Sequence, residues 1–134
     1  MYLFDTDTIS NLLARRPSPG LLRRLAGVSP RNQFTSAITV GELIYGAYRS
    51  ARPEFFLEKL DRVVWPNVTI LAFDEAAARA YGHLRAELER GGMSLSEPDL
   101  RIASIALVHR LTVVTGNVRH FSRISNLQIE NWLE

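Results

Sequence analysis

MYLFDTD, residues 1–7, is the stretch whose reading decides the fold. Tyr2, Leu3 and Phe4 make a short apolar run, Asp5 follows without a spacer, and Asp7 comes two residues later. Thr8–Ala14 then reads as a helix. A buried strand ending in a carboxylate is how an open α/β sheet presents chemistry, because ligands meet such sheets outside the carboxyl ends of their strands. Asp is also a preferred helix N-cap. On these seven residues, capping and chemistry stand level.

Working outward, Arg15, Arg16 and the breaker Pro17–Gly20 end that helix, and Leu21–Ala26 gives another turn or two. Gly27–Asn32 reads as a loop and Gln33–Ala37 as a short strand. Thr39–Ser50 reads as a helix with Leu43, Ile44 and Ala47 on one face. Pro53 suits the start of the next helix. There Phe56, Leu60, Val63 and Val64 fall at i, i+4, i+7 and i+8, an amphipathic stripe that Pro66 stops. Val68–Phe73 is strand-like, and Asp74 caps a long helix that turns Ala77, Ala80, Tyr81, Leu84 and Leu88 inward. Gly91 and Gly92 end it. After a loop at Ser94–Pro98, residues 99–109 form an Ala-rich helix with Ile102, Ala103 and Ala106 inward. Leu111–Thr115 is the most strand-like run of all, and Leu127–Ile129 suggests a last edge strand. Strands alternating with helices predict an α/β fold of three layers, with a mostly parallel, roughly five-stranded sheet covered on both faces. No repeat, low-complexity tract or linker interrupts the pattern, so residues 1–134 read as a single domain.

Hydrophobic residues make up 46% and charged residues 22%, a balance that excludes a disordered chain. The absence of cysteine excludes disulfide frameworks, thiolate zinc sites and cysteine nucleophiles. No apolar stretch approaches the ~20 residues of a membrane span, and the chain opens on a strand-like run without a basic leader. The expected location is the cytoplasm. Arg supplies 15 of the 16 basic residues and Lys59 the other. Guanidinium forks match phosphate oxygens, although genome composition produces the same bias. A net charge of only +2 predicts modest, salt-sensitive affinity for nucleic acid.

Four polar positions lie at element ends: Asp5, Glu42, Asp99 and Asn117. Three have a purely structural explanation. Thr39-x-x-Glu42 and Ser96-x-x-Asp99 both match a capping box, and Asn117 suits a plain turn after Thr115-Gly116. Together they say more. Carboxylates gathered at one sheet edge repel one another unless a basic side chain, protonation or a divalent metal compensates them. No Lys or His lies beside these positions in the sequence, which weakens the first option. Oxygen donors of Asp, Glu and Asn type suit Mg²⁺ or Mn²⁺ and disfavour zinc, and such an ion can activate a water against a phosphodiester.

Four segments, LFDTDTIS at 3–10, TVGELIYGA at 39–47, PDLRIASIAL at 98–107 and LTVVTGNVRHFSRISNLQIENW at 111–132, occur in an order and spacing that resembles PIN-domain ribonucleases of the VapC toxin type. The resemblance implies a metal-dependent endoribonuclease, acting on a structured RNA such as tRNA and leaving a 5′-phosphate and a 3′-hydroxyl. It implies that Asp5, Glu42 and Asp99 are catalytic and hold Mg²⁺ or Mn²⁺, with Thr6, Thr115 and Asn117 in support. Asp7 matches a position commonly Asn, which makes it a cap or a supporting group. Gly46 matches a small residue that lets its helix pack closely. Asn117 stands where many relatives carry a fourth Asp, and His120 where others place an acid. Arg119, His120 and Arg123 are candidates to meet RNA phosphates, whereas His83 and His109 read as surface groups. The implied partners are a cognate antitoxin, an RNA substrate and a second copy of the chain, with Tyr45, Tyr48 and Phe55 as candidate contacts. Two other readings compete: a non-catalytic PIN-like module that binds metal or partners, and an Asp-dependent phosphatase, which needs a lysine beside Asp5.

Overall fold

The computed structural model describes residues 1–134. Five strands alternate with helices: β1 (Tyr2–Phe4), β2 (Gln33–Ser36), β3 (Thr69–Leu71), β4 (Thr112–Val114) and β5 (Ile129–Glu130). The helices are α1 (Thr6–Leu13), α2 (Pro19–Ala26), α3 (Ala37–Arg49), α4 (Pro53–Lys59), α5 (Glu75–Arg90), α6 (Glu97–His109) and α7 (Val118–Phe121). The sheet order is β3-β2-β1-β4-β5, and every neighbouring pair is parallel.

Side chains alternate across a strand, so with both faces covered there is no polar side to show. Leu3 and Val113 enter the core made with α5 and α6, beside Leu84, Leu88, Ile102 and Ile105. Phe4 and Val114 enter the opposite core, with Ile9, Leu13, Leu21, Leu60 and Val64. Because β1 is central and the chain departs first towards β2 and later returns to β4, the connections diverge at β1. In a parallel sheet this is where a crevice opens beyond the carboxyl ends of the strands.

The expected elements are all present, and their boundaries move for identifiable reasons. Pro19 does not break a helix but starts one: Ser18 Oγ accepts from the Leu21 amide at 3.4 Å, with Pro19 in the first turn. Gly20 has a separate reason, since a Cβ there would strike the Glu134 carbonyl oxygen and lie 3.2 Å from that of Trp132. Trp132 is 2% exposed and packs edge-on against Tyr2 and Phe4, with ring centroids 4.9 and 5.5 Å away. After Lys59 the helix from Pro53 widens over Leu60–Val64 and tightens over Trp65–Asn67, yet Leu60 and Val64 stay buried as the stripe requires. The short α7 was not foreseen. Close packing at Gly46 is not found within the chain either, since a Cβ there would meet nothing.

Two helices end in the same motif. In α5, Gly92 takes φ +72°, and the Gly92 and Met93 amides donate to the carbonyls of Glu89 and Leu88. In α6, Arg110 takes φ 55°, and the Arg110 and Leu111 amides donate to Leu107 and Ala106. A left-handed arginine carries a steric cost that glycine avoids. Arg110→Gly is therefore expected to raise unfolding free energy by about 1 kcal/mol, measured by urea denaturation. Unchanged or lower stability would contradict it.

Candidate active site

Asp5 both caps and faces the crevice, so the two readings of the first segment are not exclusive. Its Oδ1 accepts from the Thr6 amide at 2.8 Å, which starts α1 two residues earlier than expected, and its Oδ2 accepts from Thr115 Oγ1 at 2.8 Å. Thr115 Oγ1 in turn accepts from the Asn117 amide at 2.9 Å. Asp7, in the first turn of α1, accepts from the Gly116 amide at 2.9 Å. A Cβ at Gly116 would come within 2.9 Å of Asp7 Oδ2, so glycine allows this approach.

Glu42 is not part of a capping box. Helix α3 begins at Ala37 because Ser36 Oγ caps the Thr39 amide at 3.0 Å, which places Glu42 in the second turn. Its Oε1 instead accepts from Thr6 Oγ1 at 2.6 Å. Buried Thr39 stands behind this bond, its Oγ1 3.3 Å from Thr6 Oγ1 and 3.2 Å from Ser36 Oγ. The second box holds in half: Ser96 Oγ accepts from the Asp99 amide at 3.3 Å and α6 starts at Glu97. Asn117 occupies the N-cap position of α7, yet its side chain makes no capping bond.

These residues meet in one open hollow of about 620 Å³, lined by Asp5, Thr6, Asp7, Ser10, Glu42, Asp99, Gly116 and Asn117. No apolar and no cationic side chain lines it. Burial pushes the Asp5 carboxyl up to about 7, helped by the charges of Asp7 and Asp99 and opposed by the bonds from Thr115 and Thr6. Asp99 is also raised, first by burial and then by Glu42 and Asp7, against the Ser96 bond and the nearby His120. Of the three ways to compensate the charge, a basic lining residue is thus ruled out. The carboxylates ring the hollow without converging, and no three acidic or imidazole side chains stand close enough to hold one ion as placed. Separate hydroxyl or amide donors hold Asp5, Asp7 and Glu42. The donor set itself fits a hard divalent cation, being all oxygen with excess negative charge.

The remaining expectations divide. Arg119 and His120 are exposed on α7, with His120 near enough to Asp99 to act on it. Arg123 is turned elsewhere: its Nη1 donates to the Ser94 carbonyl at 2.8 Å, and it borders a different hollow with Leu84 and Met93. His83 and His109 are exposed on their helices. Lys59 Nζ binds the Leu13 carbonyl at 2.9 Å, so the lysine that a phosphatase needs is not at the hollow. The sequence pattern marks Thr39 only as a cap and singles out neither Ser36 nor Ser10, although Ser10 lies four residues from Thr6 on the same helical face. A more enclosed cleft, about 380 Å³ and lined by Leu12, Leu21, Leu25 and Val63, carries no charged group and no chemistry.

The raised Asp5 pKa has a consequence for stability. The folded chain holds a proton there up to about 7, while the unfolded chain releases it near 3.8. Ionisation therefore opposes folding, and stability falls as pH rises through the window between those values. In chelator, lowering pH from 8 to 6 is expected to add roughly 1 kcal/mol through this group. Asp5→Asn should melt higher than wild type at pH 8 and lose much of the pH dependence. Thermal melts across that range check it, and a wild-type curve that is flat or rises with pH would contradict it.

The sequence matches the PIN domain family over residues 2–127. It is 33% identical over 132 residues to "Ribonuclease VapC2" of Haemophilus influenzae, covering 98% of both chains. It is 34% identical to the "tRNA(fMet)-specific endonuclease VapC" of Shigella flexneri, covering 98% of this chain and 99% of that one. Among solved structures, the DNA-bound VapBC of Salmonella typhimurium superposes with a TM-score of 0.90 at 35% identity, covering 98% of this chain and 97% of that one. Fold, acidic crevice and end-to-end likeness agree: the chain belongs to the PIN-domain family, in its VapC branch.

Proposed function

We propose that this chain, residues 1–134 acting as one PIN domain, is a divalent-metal-dependent endoribonuclease and the toxin of a toxin–antitoxin pair. The observation that carries the reading is the ring of carboxylates in a hollow without apolar or cationic lining, at the carboxyl edge of a parallel sheet. Relatives named as ribonucleases, one of them specific for a tRNA, support RNA as the substrate and a structured RNA such as tRNA as its class. The likeness to a VapBC complex supports a cognate antitoxin as partner. We place the protein in the cytoplasm as a homodimer; no helix is long and apolar enough to cross a membrane.

In this reading Asp5, Glu42 and Asp99 hold Mg²⁺ or Mn²⁺, directly or through water. When bound, the cation offsets phosphate charge and lowers the pKa of attached water. The chain's own residues do the positioning. Thr115 and the Thr6 amide fix both oxygens of Asp5, the Thr6 hydroxyl holds Glu42, and Asp7 ties the Gly116 loop to α1. These donors are neutral, so they orient the carboxylates while leaving the negative charge that attracts a cation. In-line hydrolysis of the P–O3′ bond leaves a 5′-phosphate and a 3′-hydroxyl. The competing non-catalytic module predicts metal binding with no cleavage.

Asp5→Asn, Asp99→Asn and Glu42→Gln keep side-chain shape while removing charge. Each is expected to lower RNA cleavage in Mg²⁺ by roughly 100-fold or more, since even outer partners at metal sites cost 10–100-fold. Each should remain folded by circular dichroism. Gel assays on total tRNA decide, and a variant that cleaves at the wild-type rate removes that residue from the mechanism. Wild-type protein that binds Mg²⁺ but never cuts RNA would favour the module.

Asn117 borders the hollow with an unengaged side chain, and Asp7 already makes the lining richer in acid than Asp5, Glu42 and Asp99 alone. Asn117→Asp should bind Mg²⁺ or Mn²⁺ more tightly and melt lower in chelator, so added metal raises its melting temperature more than the wild type's. Calorimetric titration beside melting curves reads both halves. Equal affinity and equal stability in chelator would put Asn117 outside the site.

A further inference from the structure

An acidic hollow repels the polyanion it is meant to cut. Nothing cationic lines it, so the phosphates flanking the reactive one need positive charge within a few nucleotides' reach. A groove of about 310 Å³ between α1, α3 and α4 leads away from the hollow and shares Thr6, Ser10 and Glu42 with it. Leu13, Leu43, Phe56 and Leu60 make much of its lining apolar, and Ala14, Gly46 and Ser50 also line it. The open space over Gly46, where a Cβ would meet nothing, belongs to this groove.

Arginines crowd the segments around Ala14 and Ser50. Arg15 and Arg16 directly follow Ala14, and Arg49 and Arg52 flank Ser50; all four are exposed. None of them is in an ion pair; Arg23, Arg31, Arg90, Arg110, Arg119 and Arg123 are likewise unpaired, but none of those lies within two residues of the groove's lining in sequence. The Arg49 guanidinium lies 5.6 Å from the Tyr45 ring centroid, and that of Arg52 lies 4.0 Å from the centroid of Phe55. Tyr45 is 62% exposed. Glu42, Tyr45 and Arg49 stand at i, i+3 and i+7 of α3 and therefore share one face. An open aromatic ring beside a guanidinium is a stacking platform for an unpaired base.

Resting on the ribonuclease reading, we propose that this groove is the track for single-stranded RNA: Arg15, Arg16, Arg49 and Arg52 hold backbone phosphates, and Tyr45 stacks a base beside the reactive phosphate at the hollow. Charge favours RNA over a second copy on this face, because a two-fold interface would gather two sets of four guanidiniums, which phosphates neutralise and a like copy does not.

The test is fluorescence anisotropy of a short fluorescein-labelled single-stranded RNA in chelator, where binding is read without cleavage. Replacing Arg15, Arg16, Arg49 and Arg52 together by Ala is expected to weaken binding roughly tenfold or more and to flatten the slope of log K against log salt by about 3. Tyr45→Ala should weaken binding with the slope unchanged. Removing charge from α5 by Arg79→Ala and Arg85→Ala should leave the slope alone. Circular dichroism and sedimentation confirm that each variant keeps its fold and assembly state. An unaltered affinity and slope in the fourfold variant, or an equal loss in the α5 control, would overturn the track. So would a fourfold variant that dissociates into monomers yet binds RNA as before, since the face would then belong to a second copy. If wild type cleaves RNA and the fourfold variant shows the same KM, the track fails while the ribonuclease reading stands. A wild type that neither binds nor cleaves RNA overturns both.

Discussion

Repulsion among carboxylates that no basic side chain lining the hollow relieves is the constraint on which the rest of this structure depends. Asp5 is 5% exposed, yet its nearest charged neighbours are acids. Burying such a group opposes folding, and it persists because the surroundings leave it no alternative position. Its backbone amide is bound to the Val114 carbonyl at 3.0 Å, and Thr8 Oγ1 fastens α1 to the same carbonyl at 3.0 Å. Two apolar cores on opposite faces of the sheet supply the stability that offsets the site. The fold thus holds charge where solvent and substrate reach it, a stability–function compromise of the kind active sites commonly make.

Hydroxyls rather than ammonium or guanidinium groups support the site. Thr6, Thr39 and Ser36 form a run of oxygens behind Glu42, and Thr115 links Asp5 to the start of α7. A lysine in any of these places would satisfy its carboxylate and leave less charge for a metal. The chain's positive charge stands elsewhere, and four of its arginines, Arg62, Arg79, Arg85 and Arg101, are paired with glutamates on helix surfaces. The proposed division of labour is then spatial: acids for the reacting phosphate and arginines for its neighbours.

How much of this was legible in the sequence follows from the range of the interactions involved. Element order and the parallel sheet were readable because Tyr2–Phe4 and Thr112–Val114 are short apolar-rich runs between periodic helices, with Gln33–Ser36 a short run between a loop and a helix. The acids were readable as positions at element ends. Helix starts were less so, because capping patterns overlap: Ser36-x-x-Thr39 and Thr39-x-x-Glu42 compete in one segment, and only the structure shows that Ser36 caps and Glu42 is released to Thr6. The roles of Gly20 and Trp132 depend on the carboxyl-terminal segment folding back over residues far away in sequence. Arg123 sits three residues from His120 and two after the buried Phe121, but its direction is set by the Ser94 carbonyl, which no local pattern announces.

The central claim is that Asp5, whose carboxyl burial pushes up to about 7, gives up its proton below that pH when a divalent cation binds. Calorimetric titration of Mn²⁺ at pH 6, repeated in two buffers of different ionisation enthalpy, measures binding and proton release together. The account predicts saturable binding with release of about one proton per site, and loss of both affinity and proton release in Asp5→Asn. Binding without proton release, or equal binding by Asp5→Asn, would contradict it.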